Sequence, residues 1–216
     1  MVRILCQENS LLNQFMLELR SNKIQKDRLR FRENLYRFGQ VFAYEISKTM
    51  HYTPMEVSTP LGMADLTVPQ NWPVLTTILR AGLPLHNGLL SFFDQADSGF
   101  ISAYRSPSKK DDGFEVEVEY LSCGSLEGRD LILADTMLAT GTSVTKVYKA
   151  LREYGTAANI HVVAVIASKE GLEFAREHFP AKTKFWIGAV DEEMTANSFI
   201  VPGLGDAGDL AFGEKN

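Results

Sequence analysis

Between Leu131 and Ser143 the sequence reads as a strand, a tight loop and the start of a helix in immediate succession. Leu131, Ile132, Leu133 and Ala134 form an apolar run that ends in an acid, Asp135. Small and hydroxyl residues follow, Thr136-Met137-Leu138-Ala139-Thr140-Gly141-Thr142-Ser143. Val144, Val147, Tyr148 and Leu151 then recur on one helical face. Backbone N–H groups at a helix N-terminus lack intrahelical partners and carry positive partial charge, so they can cradle a phosphate. Gly141 lets the backbone approach an anion, and Thr140, Thr142 and Ser143 add hydroxyl donors. Asp135 at the strand end can accept hydrogen bonds from sugar hydroxyls. An acid for a sugar beside a cradle for one phosphate suits a ribose 5-phosphate. The same spacing also makes a bare strand-to-helix turn, and both readings stand at this point. The Walker pattern G-x-x-x-x-G-K-[ST] and the dinucleotide fingerprint G-x-G-x-x-G are both missing.

The rest of the chain supplies the layers such a unit needs. Residues 1–50 read as helical: Leu11, Leu12, Phe15, Met16 and Leu19 repeat at helical spacing after Ser10, and Phe31, Leu35, Phe38, Phe42 and Ile46 form a second stripe. The basic stretch Lys23 to Arg32 reads as a solvated helix face. Thr53 to Val68 reads as an extended hairpin arm. Val74 to Leu79 is a buried strand, and Pro84 to Phe93 the helix after it. Phe100 to Tyr104 and Phe114 to Tyr120 read as two strands of a mobile hairpin that carries Arg105. The second alternates, with Glu115, Glu117 and Glu119 on a solvent face that protects the edge. Leu131 to Ala134 is the strand before the loop, and Ser143 to Tyr154 the helix after it. Ile160 to Ala167 is a near-continuous β-branched run, hence a central parallel strand. Gly171 to His178 is a helix, and Lys184 to Val190 the last core strand. Strands alternating with helices predict an α/β fold with a parallel sheet.

Composition bounds the function. A chain of 216 residues can bury one sizeable core, and its net charge of −5 argues against a dedicated nucleic-acid binder. Cys6 and Cys123 lie far apart without C-x-x-C spacing, as expected of reduced thiols in the cytoplasm. No apolar run of about 18 residues suggests a membrane span, and the charged N-terminus does not read as a signal peptide. His51, His86, His161 and His178 share no zinc-ligand spacing, and no G-x-S-x-G elbow occurs.

The acid, the small loop and Thr-Gly-x-Ser together resemble the 5-phosphoribosyl 1-pyrophosphate (PRPP) loop of type I phosphoribosyltransferases. The longer form, Asp135-Thr136-Met137-Leu138-Ala139-Thr140-Gly141-Thr142-Ser143, is similar to that of the uracil phosphoribosyltransferase family in particular. Ile78-Leu79-Arg80-Ala81-Gly82-Leu83 resembles that family's pyrophosphate loop. Phe199-Ile200-Val201-Pro202-Gly203-Leu204-Gly205-Asp206-Ala207-Gly208-Asp209 resembles its base-binding segment nearly residue for residue. The three segments fall in the family's order.

The resemblance implies a type I phosphoribosyltransferase-like parallel sheet flanked by helices, with a β-hairpin arm. It implies one domain over residues 1–216, its core about 72–190, under a hood from 1–70 and 191–216. It also implies uracil and PRPP as substrates, UMP and pyrophosphate as products, Mg²⁺ carried by the pyrophosphate with no direct protein ligand, and a homodimer. Arg80, Arg105 and Asp135 are then catalytic. Residues 136–143 surround the 5-phosphate, Ile200, Gly205, Asp206 and Ala207 hold uracil, and Asp206 also meets PRPP. Transfer to another base, or a weakly catalytic nucleotide-sensing regulator, are the other readings. Within the match, Thr136 stands where the family usually carries proline, Thr142 where glycine is usual, Phe199 where tyrosine is usual and Leu210 where arginine often follows. Glu192-Glu193-Met194 departs from the usual Gly-Leu-Asn-like stretch.

Overall fold

The computed structural model describes residues 1–107 and 114–214, without the side chains of 104–107 and 114–116. In chain order its elements are β1 (Val2–Ile4), α1 (Leu11–Arg20), α2 (Arg28–Ser47), β2 (Tyr52–Thr59), β3 (Gly62–Pro69), β4 (Val74–Leu79), α3 (Leu83–Leu90), β5 (Asp97–Pro107) and β6 (Phe114–Ser122). They continue with β7 (Asp130–Leu138), α4 (Thr142–Leu151), β8 (Asn159–Ser168), α5 (Lys169–His178), β9 (Lys184–Asp191), β10 (Glu193–Met194), β11 (Ile200–Val201) and α6 (Ala207–Phe212). Seven strands form one sheet in the order β1-β9-β8-β7-β4-β5-β6. Every neighbouring pair is parallel except β5 and β6, which run antiparallel as a hairpin.

Side chains alternate across a strand, and the two faces of this sheet feed two separate cores. Ile132 and Ala134 of β7, with Val163 and Val165 of β8, pack under α1, α2 and α3. Leu131 and Leu133, with Val162 and Ala164, pack under α4 and α5. The near-continuous apolar run of β8 follows from this, because a strand covered on both faces needs no polar side. Phe31, Leu35, Phe38, Phe42 and Ile46 of α2 recur three or four residues apart and are fully buried or nearly so. Truncating one such phenylalanine to alanine costs about 3–5 kcal/mol. Ser10 caps α1 through a capping box in which its hydroxyl accepts from Leu12 N–H and Asn13 reaches back to the Ser10 N–H.

Several element boundaries differ from those read off the sequence. Residues 1–50 are not wholly helical, since β1 joins the main sheet beside β9 and the N-terminal segment is therefore part of the core sheet. Three residues are too few to show a period of two. β7 runs on to Leu138, so Thr136, Met137 and Leu138 belong to a strand paired with β8 and the loop proper is only Ala139–Gly141. Tyr120 is exposed, where alternation predicted burial. The arm is the two-stranded hairpin β2–β3, separate from the main sheet. No helix among the described residues is long and apolar enough to cross a membrane.

Candidate active site

In an open α/β sheet, ligands bind beyond the carboxyl ends of the strands where successive crossovers leave on opposite faces. That point lies between β4 and β7. The helix after β4 packs in one core and the helix after β7 in the other. A cleft of about 500 Å³ opens there, within the range of small-molecule sites. One wall is built by Ala81, Ala103 and Asp135–Met137, with Ala139 and Ser143. The other is built by 197–199 and by Gly205–Gly208. A larger groove of about 680 Å³ lies at the amino ends of the strands, around Tyr148, Asn159 and Lys182, away from the predicted residues.

The loop after β7 is shaped by the helix α5 behind it. Ser168 Oγ donates to the Ala139 carbonyl at 2.5 Å and accepts from Gly171 N–H at 2.8 Å. A Cβ on Gly171 would sit 1.9 Å from the Ala139 carbonyl oxygen, so helix and loop meet backbone to backbone. Gly141 caps α4 in the left-handed region at φ 73°, and a Cβ there would stand 2.5 Å from the Gly171 carbonyl oxygen. Gly141 is thus required by this packing as well as by any anion. Thr140 Oγ1 donates to Thr142 Oγ1 at 3.1 Å, which places both hydroxyls on the loop. Thr136 is fully buried, and its hydroxyl donates to the Ala81 carbonyl at 2.8 Å.

Arg80 does not line the cleft. Its Nη2 donates to Asp209 Oδ1 and to the Gly213 carbonyl, each at 2.8 Å, and its guanidinium lies against Gly208. The buried Arg80 Nε has no hydrogen-bond partner among the described residues. The predicted pyrophosphate arginine is therefore joined to the predicted base segment. The Arg105 backbone lies in β5 opposite Val116, and its side chain falls outside the described residues.

Of the residues expected to hold uracil, Gly205, Asp206 and Ala207 line the cleft. Asp206 Oδ1 caps α6, accepting from Gly208 N–H at 2.8 Å and Asp209 N–H at 3.1 Å. Ile200, the fourth residue of that prediction, is buried in the core and does not line the cleft. Asn197, Ser198 and Phe199 also line the cleft. They belong to a short hairpin closed by β10 and β11, in which Thr195 N–H donates to the Phe199 carbonyl at 2.8 Å. Asn197 and Ser198 carry turn chemistry in the sequence but no motif, and sequence reasoning missed them. It also missed Arg20 and Asp191, which hold this segment from behind. Burial would raise the Asp191 carboxyl, but hydrogen bonds from Arg20 and Gly203 N–H, with the Arg20 charge, outweigh it and hold the group below its ordinary value.

A family model described as uracil phosphoribosyltransferase matches residues 6–214. A uracil phosphoribosyltransferase of Porphyromonas gingivalis is 49% identical over 208 residues, covering 96% of each chain. One of Pyrococcus furiosus is 35% identical over 211 residues, covering 96% of this chain and 88% of that one. Among solved structures, the AQ2163 protein from Aquifex aeolicus superposes with a TM-score of 0.87 at 26% identity, over 99% of this chain and 98% of that one. A hypoxanthine phosphoribosyltransferase of Staphylococcus aureus shares the fold with a TM-score of 0.50 at 14% identity, over 76% of each chain. The sheet order, the cleft at the β4–β7 switch point and these relatives agree, and the chain belongs to the uracil phosphoribosyltransferase family.

Proposed function

We propose that the cleft binds PRPP and uracil together and transfers the phosphoribosyl group to the base, giving UMP and pyrophosphate. One observation carries this reading: the Asp135 loop and the Gly205–Ala207 segment face each other across a single cleft of about 500 Å³. The bond from the anomeric carbon to the pyrophosphate oxygen breaks as the base nitrogen attacks the opposite face of the sugar. Charge grows on the leaving group, and cationic character grows on the ribose ring. Positioning and preorganised dipoles lower such a barrier without covalent help from the protein.

In this reading Asp135 accepts hydrogen bonds from the ribose hydroxyls. The backbone and hydroxyls of 136–143, at the N-terminus of α4, hold the 5-phosphate. Arg80 and Arg105 meet the pyrophosphate, and arginine supplies a fixed, charged fork for phosphate oxygens. Arg80 reaches it by exchanging its bonds to Asp209 and Gly213 for phosphate oxygens. Backbone groups of Ile200, Gly205 and Ala207 read the edge of uracil, and Asp206 stands between base and PRPP. Among the described residues no group of three or more His, Cys, Asp or Glu forms a metal cage. Asp135 and Asp206 on one cleft suit Mg²⁺ that arrives with the pyrophosphate, the usual manner for this ion. An ion held there would offset charge on the leaving pyrophosphate.

The hairpin β2–β3 exposes Met55, Leu61, Met63 and Leu66, and we assign it to contact with a second copy in a homodimer. Free Cys6 and Cys123 suit a cytoplasmic enzyme. The test is a calorimetric titration of PRPP with Mg²⁺ into wild type and Asp135→Asn. Loss of a charge-assisted bond to the sugar weakens binding about tenfold or more. Equal affinity in the two proteins would overturn the assignment of Asp135.

A further inference from the structure

We propose that Arg20 and Asp191 are positioning residues that set the place of the base-reading backbone; this rests on the uracil site assigned above. Arg20 ends α1, and its guanidinium grips Asp191 with two parallel bonds, Nη1 to Oδ2 at 2.7 Å and Nη2 to Oδ1 at 2.8 Å. The same Nη1 also donates to the Gly203 carbonyl at 3.1 Å. Asp191 Oδ2 in turn accepts from Gly203 N–H at 2.9 Å. Both peptide groups of Gly203 therefore end on this one ion pair. The Asp191 side chain is only 8% exposed, so water competes weakly for these bonds.

Gly203 is where such a grip is needed. It sits in the left-handed region at φ 60°, and a Cβ there would stand 2.0 Å from the Ile200 carbonyl oxygen. The turn is too tight for a side chain, so only its peptide groups can be held. On either side Ile200 and Leu204 are buried in the same core that holds Leu12, Met16 and Leu19 of α1. Gly205 and Ala207 follow at the cleft. Recognition through backbone groups cannot be tuned by the side chains of the recognising residues. Its precision comes from whatever fixes the chain upstream, and a displacement of about 1 Å at a reactive site can cost about a hundredfold in rate. The Arg20–Asp191 pair joins α1, the end of β9 and the base segment at one point, which makes it that fixture.

The test compares Arg20→Lys, Arg20→Met and Asp191→Asn with wild type. Lysine keeps the charge but cannot span both carboxylate oxygens and the Gly203 carbonyl. Asparagine keeps an acceptor for Gly203 N–H and loses the charge. KM for uracil and for PRPP are measured separately, with amide deuterium uptake in peptides covering 200–207 and 136–143. The expected result is a rise in uracil KM of about tenfold or more, with PRPP KM within about twofold, and faster uptake confined to 200–207. Arg20→Lys should recover part of what Arg20→Met loses. A parallel rise in both KM values, or unchanged uptake in 200–207, would overturn the proposal. If Asp191→Asn fails to fold, Arg20→Lys decides. If wild type turned over no uracil, the functional reading would fall, and the proposal with it. The uptake data would still show whether the pair fixes 200–207, which separates the two failures.

Discussion

The hydroxyl of the fully buried Thr136 donates to the carbonyl of the half-buried Ala81 over 2.8 Å. That bond ties the strand that carries Asp135 to the loop that carries Arg80, across the β4–β7 switch point. The threonine stands where the family resemblance implied proline, so this chain uses a side-chain bond where proline would have none to offer.

Replacing Thr136 by valine keeps the shape and removes the donor. Losing a part-buried hydrogen bond costs about 0.5–1.5 kcal/mol. For a chain of this size that lowers the melting temperature by about 2–4 °C per kcal/mol. Thr136→Val should therefore melt measurably earlier and bind PRPP more weakly. Wild-type melting and affinity would show that the bond contributes nothing.

Arg80 and Asp209 form a half-exposed ion pair, with each side chain 36% exposed, so solvent screens it and its contribution to stability is small. Its cost to catalysis is the larger effect under the proposed mechanism, since Arg80 must leave Asp209 to meet pyrophosphate. Asp209→Asn should leave the fold intact and tighten pyrophosphate inhibition a few-fold. Arg80→Ala should lower kcat/KM for PRPP about a hundredfold. Weaker pyrophosphate inhibition in Asp209→Asn would mean that Asp209 aims Arg80 and does not compete for it.

Gly171→Ala forces a Cβ into the Ala139 carbonyl oxygen, with backbone on both sides and nothing free to swing away. The loop 139–141 must shift. PRPP is expected to raise the melting temperature of wild type and to lose that effect on the variant, which thermal scans with and without ligand check directly. Gly205→Val differs: its nearest neighbours would be Leu210 Cδ1 at 3.7 Å and Gln25 Oε1 at 3.9 Å, so the added side chain has room. The strained left-handed backbone at φ 89° costs about 1–2 kcal/mol. The variant should fold, keep PRPP affinity and lose uracil turnover.

Two buried histidines set the acid limit. Burial lowers His86 to about 4, and burial with the Lys184 charge lowers His161 to about 3, each from an ordinary value of 6.5. His161 Nδ1 accepts from Trp186 Nε1–H at 3.0 Å, which requires that nitrogen unprotonated. The unfolded chain binds these protons below pH 6.5 and the folded chain does not. Stability is thus complete above pH 6.5 and falls toward pH 4, by up to about 1.4 kcal/mol per pH unit for each histidine. Asp191, held below its ordinary 3.8, adds stability that persists above that value and is lost below it as the carboxylate protonates. Urea midpoints should hold from pH 7.5 to about 6.5 and decline from there to pH 4.5, and a flat profile across the whole range would contradict this.

Local signals carried much of the fold. Hydrophobic period and flanking turn residues placed β8, the α2 stripe, the arm and the β7–α4 junction, because each depends on contacts within one element. The segment Phe199 to Asp209 was recognisable because its motif is contiguous. The Arg20–Asp191 pair was not, since 171 positions separate its members and neither residue breaks a local rule. Nor was the pairing of Arg80 with Asp209, which exists only once α6 folds back on the loop after β4. At its carboxyl end β7 looked four residues shorter than it is, as Asp135 to Leu138 read as loop in a hydroxyl-rich stretch while pairing with β8 keeps them extended.

The central claim is tested most directly by product formation from labelled uracil with PRPP and Mg²⁺, with cytosine, hypoxanthine and orotate in parallel reactions. The reading given above predicts UMP from uracil and no nucleotide from the other three. Turnover of another base in place of uracil, or tight PRPP binding with no product from any base, would contradict it.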